Sequence, residues 1–227
     1  HHIHFLLVVG EDFKREKEDE EFKHRWHVDS ELSQKIQGAL RKLYSNLSDD
    51  ELVLESDLID DFLEEVKDVN EKYNVEILTD VHEVAQVEPV SKVCHWLQIP
   101  AFLCRQTDLI VAAAQTGRKI NVKKGQFLAH EGTKHIVEKV RHVTREKGTP
   151  FRMALTERGT FFGYGDYVVD MRSFRIMAET GAHVIFDITH STQTPQTSLA
   201  SEVTKANRAL APCLARSATA TGYLSGY

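Results

Sequence analysis

The stretch VEILTDVHEVAQVEPVSKVCHWLQI, residues 75–99, contains the pattern that decides the fold. It opens on apolar and β-branched residues, which predict a strand over 75–79. Apolar residues at helical spacing follow over 84–94, and WLQI predicts a second strand over 96–99. A strand, a helix and a second strand in close succession form the unit that sets two parallel strands side by side.

The same alternation continues along the rest of the chain. It predicts strands at 119–122, 151–156 and 183–187, and helices at 107–116, 133–146, 168–180 and 198–220. Strands alternating with helices indicate an α/β fold with a parallel sheet. The number of such units favours a (β/α)8 TIM barrel that occupies residues 1–227 as a single domain. A doubly wound sheet is the alternative, but no GxGxxG motif follows the first strand.

The first third of the chain has a weaker pattern. The run FLLVV at 5–9 predicts a fully buried strand of the kind found in parallel sheets. Residues 11–27 are crowded with charge, which is typical of a solvated helix or a mobile segment. Helical spacing follows over 30–45, a short strand is predicted at 52–54, and an amphipathic helix is predicted from 56 or 57 to about 73.

Composition excludes several classes of protein. The 227 residues are 41% hydrophobic and 27% charged, and no apolar run approaches the roughly 20 residues of a membrane span. A net charge of −6 argues against binding to nucleic acid or to an anionic membrane. Cys94, Cys104 and Cys213 form no CxxC motif, and the HHIH start does not resemble a secretory signal. We therefore expect a reducing, cytoplasmic location.

Charged and amide side chains follow the predicted strands. These segments are TDVH at 79–82, Gln98 leading to RQTD at 105–108, NVKKGQ at 121–126, ERG at 157–159 and DITHS at 187–191. In a (β/α)8 barrel, the chemistry lies at the carboxyl ends of the strands. Arg105, Arg158 and one of Lys123 and Lys124 would converge there with two histidines and two aspartates. Such a set suits an anionic substrate with a phosphate or a carboxylate group.

Each of these signals also has a purely structural interpretation. Lys123 and Lys124 point to opposite sides of a strand, so only one enters the barrel and the other is expected in solvent. His82 and His190 are each compatible with an ordinary structural histidine. The Glu157–Arg158 pair is compatible with a surface ion pair, and Asp80 with a helix cap. Recurrence at five successive strand ends favours the functional interpretation.

Several of these segments resemble a known family. They are TDVHE at 79–83, QIPAFLCRQTD at 98–108, INVKKGQF at 120–127, LTERGT at 155–160 with FGY at 162–164, VDMRS at 169–173 and FDITHS at 186–191. Together they resemble the 3-deoxy-D-manno-octulosonate 8-phosphate synthases of the class I heptulosonate/octulosonate-phosphate synthase superfamily. The resemblance runs from about residue 75 to residue 195, and residues 11–74 show none.

The resemblance implies a (β/α)8 barrel that forms a homotetramer. It implies condensation of phosphoenolpyruvate with D-arabinose 5-phosphate, with release of phosphate, in lipopolysaccharide synthesis. A related heptulosonate-phosphate synthase and a barrel that binds phosphoenolpyruvate without turnover are the alternatives.

The resemblance also implies roles for individual residues. The substrate-binding residues would be Gln98, Ala101, Phe102, Arg105, Lys123 and Arg158. Asp80, His82 and His190 would lie at the reacting carbons. In metal-dependent members His190 would be a ligand of a divalent metal such as Zn, Fe or Mn.

The chain departs from the family pattern at four places. Gly10 is followed by Glu11 and Asp12, where the family has Gly-Pro and then Cys or Asn. The lysine-rich Lys-Ala-Asn-Arg-Ser-Ser loop has no counterpart between residues 11 and 74, and the Gly-rich loop after the seventh strand is reduced to Pro195 and Gln196. The last strand with its Glu-Thr-His and the following Asp are absent. Together with the missing Cys after the first strand, this leaves three of the four expected metal ligands without a counterpart. We expect a barrel without its last strand–helix unit.

Overall fold

The computed structural model describes residues 6–8, 67, 76–161, 166–193 and 207–227. The strands are β1 (Leu6–Val8), β2 (Glu76–Asp80), β3 (Trp96–Ile99), β4 (Lys119–Lys123), β5 (Met153–Glu157), β6 (Thr160–Phe161), β7 (Tyr167–Val168) and β8 (His183–Phe186). The helices are α1 (Val84–Val93), α2 (Thr107–Gln115), α3 (Thr133–Lys147), α4 (Arg172–Ala178), α5 (Ile188–Ser191) and α6 (Ala211–Ala220). Short 3₁₀ turns lie at Ala101–Leu103, His130–Gly132 and Arg208–Leu210.

Six strands form the main sheet, in the order β1-β2-β3-β4-β5-β8. The strands from β2 to β8 in this order are parallel, and each of the first three successive pairs is joined by a helix. Gly226 adds a further parallel bridge to Ile185 on the outer side of β8. The predicted α/β fold with a parallel sheet is thus confirmed, and closure into a barrel stays a prediction.

Burial on both faces explains why these strands pair in parallel. All five residues of β5 are buried, and so are four of the five in β4. A strand covered on both faces is the usual element of a parallel sheet flanked by helices. The covering helices are amphipathic: α3 buries Ile136, Val137 and Val140 at helical spacing and ends at Gly148, which adopts a φ of 64°. Helix α2 packs against both α1 and α3.

Two predicted elements differ from the structure. The first is β1, which pairs antiparallel with β2 and sets Leu6 opposite Leu78. The expectation of a parallel strand at 5–9 was therefore wrong, because an apolar run signals burial but carries no information on strand direction.

The second difference is the helix predicted over 168–180. Tyr167 and Val168 instead form β7 and pair with β6 as a small antiparallel ribbon. The helix starts only at Arg172, whose backbone N–H donates to the Asp170 carboxylate at 3.0 Å. This side-chain hydrogen bond to the backbone competes with helical hydrogen bonding and favours a helix N-terminus at this point.

Other boundaries lie within one or two residues of prediction, except at the last helix. Helix α6 begins at Ala211 after a 3₁₀ turn, with a proline in its first turn. Proline suits that position because its missing N–H would be unpaired there anyway. The predicted elements at 11–54 and the start of the last helix at 198–206 lie outside the described residues.

The chain divides into two units. One comprises His1–Val8 and Glu76–Tyr227, and the other Val9–Val75. In the second unit the structure describes only Lys67, which is helical and lies within the helix predicted to end near 73. The single barrel domain over residues 1–227 stays a prediction. None of the helices in the described ranges combines the length and apolarity that a membrane crossing requires.

Candidate functional site

The carboxyl edge of the parallel sheet gathers most of the predicted site residues. Asp80 and Lys123 are the last residues of β2 and β4, and Gln98 is the penultimate residue of β3. Arg158 follows β5 directly, and Asp187 follows β8 and caps α5, which carries His190. Because the strands are parallel, their carboxyl ends lie along one edge.

Lys123 and His190 meet on Asp187. The Lys123 Nζ lies 2.6 Å from Asp187 Oδ2 and 3.4 Å from His190 Nδ1. His190 Nδ1 is in turn 2.6 Å from the same Asp187 oxygen, and the His190 backbone N–H donates to Asp187 Oδ1 at 3.0 Å. All three side chains are largely buried. The carboxylate thereby orients both the ammonium group and the imidazole ring.

The charge state of Asp187 follows from these contacts. Burial by itself raises the pKa of its carboxyl group, but the hydrogen bond with His190 and the charge of Lys123 outweigh this effect. The pKa of Asp187 is therefore held well below its usual value, and the group stays a carboxylate. A fixed negative charge between a lysine and a histidine keeps both side chains in place at the edge of the sheet.

Asp80 lies in a different environment. Burial raises the pKa of its carboxyl group above the ordinary value. A hydrogen bond from Gln98 and the charges of Lys123, His82 and His190 lower the pKa, but they offset the effect of burial only in part. The Gln98 Nε2 donates to Asp80 Oδ1 at 2.5 Å. Asp80 is thus not the cap of α1, whose first turn is capped by Glu83. Instead, it is a partly buried acid with three basic groups nearby.

His82 is exposed at the start of the loop that precedes α1. Its backbone N–H donates to Gln86 Oε1 at 2.8 Å, which ties the loop to the helix. The side chain acts on Asp80 through its charge.

Arg158 is a buried cation with an unsatisfied donor. The residue is only 5% exposed, and its Nη1 has no hydrogen-bond partner within the described part of the chain. Its guanidinium lies 4.4 Å from the centre of the Tyr167 ring, which fixes the plane of the group. A buried guanidinium is costly unless its donors are paired, so the geometry favours an anion at Nη1.

The turn that presents Arg158 is built by its neighbours. Glu157 Oε1 accepts from the backbone N–H groups of Arg158 and Gly159 at 3.0 and 2.7 Å. Gly159 has a φ of 90°, and a Cβ there would come within 2.9 Å of the Tyr167 side chain. Only glycine therefore fits, and Glu157 is a buried structural anion. The alternative that Glu157 and Arg158 form a surface ion pair was wrong.

Lys124 corrects another expectation, because neither lysine of the pair is in solvent. Its side chain is 1% exposed, and its Nζ donates to Leu128 O at 3.1 Å and to Thr160 Oγ1 at 3.0 Å. The same Nζ lies 3.6 Å from Glu157 Oε2. Lys124 follows the last residue of β4 and turns to the opposite side from Lys123, where the β6 ribbon and the loop after β4 enclose it.

The segment that follows β3 carries three further predicted residues, two of them in the 3₁₀ turn. Ala101 is buried, and its carbonyl oxygen would lie 3.0 Å from a Cβ at Gly125, so the two loops approach closely. Phe102 is 67% exposed. Arg105 is also exposed, and its backbone carbonyl accepts from Lys139 Nζ at 3.0 Å. The structure therefore does not bring the Arg105 side chain into the buried group.

The model of the DAHP synthetase I family matches residues 57–226. The chain belongs to this family. It is 48% identical over 165 residues to "2-dehydro-3-deoxyphosphooctonate aldolase" of Burkholderia mallei (strain SAVP1), covering 72% of this chain and 57% of that protein. Proteins of the same name from Ralstonia pickettii (strain 12J) and Cupriavidus taiwanensis are also 48% identical, covering 69% and 70% of this chain and 55% of each relative.

The chain thus spans little more than half the length of the curated relatives that it matches. The matched range contains all the site residues named above, from Asp80 to His190. Membership in the DAHP synthetase I family agrees with the resemblance seen in the strand-end motifs.

The described residues do not by themselves fit a metal ion. No group of three or more His, Cys, Asp or Glu side chains with suitable placement occurs within those ranges. His190 supplies one imidazole, and the nearest carboxylate, Asp187, is already paired with Lys123. The divalent metal stays a prediction, and the chemistry below is built from side chains alone.

Sequence reasoning missed two buried polar side chains in this region as individual site residues: Asn121 and Thr156. A faint signal existed, since Asn121 and Thr156 are polar residues inside otherwise apolar strands. Burying such groups is costly unless they are hydrogen-bonded. Polar residues at strand positions that should be buried therefore indicate a partner on the next strand.

Proposed function

We propose that this protein condenses phosphoenolpyruvate with D-arabinose 5-phosphate to give 3-deoxy-D-manno-octulosonate 8-phosphate and inorganic phosphate. The observation that carries the proposal is the buried Arg158 guanidinium at the same sheet edge as Lys123. The Arg158 Nη1 has no hydrogen-bond partner among the residues that the structure describes. The name of the curated relatives supports the choice of reaction.

The anionic substrate suits the cations of this edge. Phosphoenolpyruvate carries a phosphate and a carboxylate on three carbons, so it needs several fixed positive charges. Arg158 would donate charge-assisted hydrogen bonds to the phosphate from Nη1. Lys123 lies one strand away and would contact the same substrate while Asp187 holds it in place. Gln98 and the backbone at Ala101 and Phe102 would line the pocket.

The reaction needs proton transfer as well as binding. The C3 carbon of phosphoenolpyruvate bonds to the aldehyde carbon of the sugar, water adds at C2, and the phosphate group leaves. The aldehyde oxygen gains a proton as it becomes a hydroxyl group, and the attacking water loses one as it adds at C2. The new C2 hydroxyl loses the second proton as it becomes the ketone, and the phosphate released by C2–O cleavage takes up a proton. Asp80, His82 and His190 would exchange these protons, because each is a titratable group near this edge of the sheet. Lys123 would also stabilise negative charge that develops on oxygen.

The same proposal includes the finer architecture. The parallel sheet would close into a (β/α)8 barrel, the protein would form homotetramers and act in the cytoplasm, and His190 would contribute to a divalent metal site. The Gly226 bridge on the outer side of β8 supports a sheet that continues beyond β8.

The test measures release of inorganic phosphate from phosphoenolpyruvate with each of two sugar phosphates. We expect release that depends on arabinose 5-phosphate and a product with the mass of 3-deoxy-octulosonate 8-phosphate. Release with erythrose 4-phosphate alone would show the heptulosonate-phosphate reaction instead, which the family description also permits. Calorimetric binding of phosphoenolpyruvate with no condensation product would show a binding protein.

A further inference from the structure

A chain of side-chain hydrogen bonds crosses four adjacent strands below the carboxyl edge. The Thr156 hydroxyl donates to Asn121 Oδ1 at 2.8 Å, and Asn121 Nδ2 donates to Gln98 Oε1 at 2.7 Å. Gln98 Nε2 then donates to Asp80 Oδ1 at 2.5 Å. Each of β5, β4, β3 and β2 contributes one member. We call these four residues the relay.

Strand register explains why the relay forms. Asp80 pairs directly with Gln98, and Gln98 with Asn121, so the three side chains lie in one row. Thr156 pairs with Lys123, two residues along β4 from Asn121, and therefore reaches Asn121 on the diagonal. Alternation along β4 places Asn121 and Lys123 on the same face. The relay thus lies directly beneath the lysine of the candidate site.

Because the relay is buried, each of its amide groups must present the correct end, donor or acceptor, to its neighbour. Asn121 is 0% exposed, Thr156 3% and Gln98 4%, so water cannot replace a lost partner at the centre of the chain. A carboxylate only accepts hydrogen bonds, so the nitrogen end of the Gln98 amide must face Asp80. The oxygen end then faces Asn121, which must present its own nitrogen. The remaining Asn121 oxygen needs a donor, and the Thr156 hydroxyl supplies it.

We propose that Asn121 and Thr156 are positioning residues, which hold the Gln98 amide with its nitrogen toward Asp80 and so fix both groups for substrate. The role of Gln98 and Asp80 in binding phosphoenolpyruvate rests on the proposed function. The orientation of the amide does not depend on it. Neither positioning residue needs to touch substrate, because both act through Gln98.

Two variants of Thr156 and one control test the proposal. Thr156→Val keeps the shape of the side chain and removes the hydroxyl, whereas Thr156→Ser keeps the hydroxyl. Thr144→Val is the control, since Thr144 is 6% exposed and its hydroxyl donates to Arg141 O within α3, away from the relay. Thermal melting of the three variants and of the unmodified chain establishes that each protein is folded under the conditions of the two readouts that follow.

The first readout needs no ligand. We expect the side-chain amide signals of Gln98 and Asn121 in ¹H–¹⁵N spectra to shift and to lose protection from hydrogen exchange in Thr156→Val. They should stay close to those of the unmodified chain in Thr156→Ser and Thr144→Val. Unchanged Gln98 signals in Thr156→Val would overturn the proposal, whatever reaction the protein catalyses.

The second readout is the affinity for phosphoenolpyruvate, measured by calorimetry. We expect about a tenfold loss in Thr156→Val, since small misplacements of binding groups have effects of this size. Thr156→Ser and Thr144→Val should stay within about twofold of the unmodified chain. Equal losses in Thr156→Val and Thr144→Val would show a merely structural effect and would overturn the positioning role. Absence of phosphate release by the unmodified chain, with this pattern of affinities intact, would count only against the proposed reaction.

A substitution at Asn121 should disturb the orientation of the Gln98 amide more strongly than Thr156→Val does. Asn121→Asp keeps the size of the side chain but replaces its donor with an acceptor, so the Gln98 oxygen loses its partner. We expect Gln98 to turn its nitrogen toward residue 121, and the affinity for phosphoenolpyruvate to fall by about 100-fold. If this variant does not fold, the Thr156 pair still decides the question.

Discussion

The two ends of the parallel sheet carry different kinds of charged cluster. At the amino edge, Lys119 Nζ lies 2.6 and 2.8 Å from the two oxygens of Glu76, and the Trp96 indole N–H donates to the same carboxylate at 2.8 Å. At the carboxyl edge, Lys123 is shared between Asp187 and His190, and Arg158 has a buried Nη1 with no partner among the described residues.

The two clusters differ in whether their contacts stabilise the fold or leave a donor available for a ligand. Lys119 and Lys123 stand at the two ends of the same strand. Among the described residues of these two clusters, a buried donor without a hydrogen-bond partner occurs only at the carboxyl edge. A closed set of contacts stabilises the fold and has no use for a ligand. An open donor costs stability until an anion binds to it. We therefore expect variants of the closed cluster at the amino edge to lower the free energy of unfolding. Variants of the open donor at the carboxyl edge should instead lower the affinity for substrate.

The largest effect is expected at Lys124, which is the structural exception at the carboxyl edge. Lys124→Met leaves the 1% exposed carboxylate of Glu157 without its cationic partner. Breaking a buried pair in this way costs about 3–5 kcal/mol in the free energy of unfolding, measurable by urea denaturation. The double variant Lys124→Met with Glu157→Gln should recover most of that loss. A double variant no more stable than the single one would show that the ion pair is not the cause.

Arg158 should give the next largest effect, and on affinity rather than on stability. Arg158→Met removes the unpartnered donor, so calorimetry should show about 100-fold weaker binding of phosphoenolpyruvate. The free energy of unfolding should change by only about 1 kcal/mol, because the contact with the Tyr167 ring is lost but Nη1 has no hydrogen bond to lose within the described residues. Lys119→Met, the matched loss of a cation at the amino edge, should bind phosphoenolpyruvate normally. Equal affinities of the two variants would refute the contrast between the edges.

The smallest effect is expected at Glu76, and it depends on pH. Burial raises the pKa of the Glu76 carboxyl group, but the hydrogen bonds from Lys119 and Trp96 outweigh it, so the pKa lies below its ordinary value of 4.5. A lowered pKa in the folded state adds stability above pH 4.5 that is lost as the pH falls through the folded pKa. Glu76→Gln should therefore cost about 1 kcal/mol near pH 7, as surface-proximal ion pairs do, and progressively less below pH 4.5.

Urea denaturation over a pH series measures this difference. A cost of Glu76→Gln that is the same at pH 7 and at low pH would remove the ion pair as its explanation. Substrate affinity should be unaffected, so a loss of phosphoenolpyruvate binding in this variant would mean that the amino edge is not purely structural.

Local sequence was sufficient for most of the elements. Strands β2 to β5 and β8 lie where their apolar runs predicted, because a run buried on both faces is a local property of composition. The predicted helix began too early, at Val168, because the pairing of Tyr167 and Val168 with Thr160 and Phe161 is a contact between segments that local sequence does not show. The direction of β1 was missed for the same reason.

The strand-end motifs pointed to the correct edge but not to the partners of each side chain. Asp80, Lys123, Arg158 and His190 were found because a parallel sheet gathers its carboxyl ends. Arg105 was grouped with them on the same argument, yet its side chain is exposed on the turn after β3. Sequence order gives the edge at which a residue lies, and only packing decides whether its side chain turns inward.

The sequence by itself determined the parallel α/β architecture, the membership in the DAHP synthetase I family and the edge that carries the candidate site. These follow from the period of apolar residues and from long motifs, which are local features of the chain. The tertiary structure alone decided that Lys124 is buried against Glu157 and that Thr156 reaches Asp80 through two amides. It also decided that Arg158 has a donor without a partner in the described ranges of the chain. Those outcomes depend on register and on distances between strands, and neither is encoded in the spacing of residues along one chain.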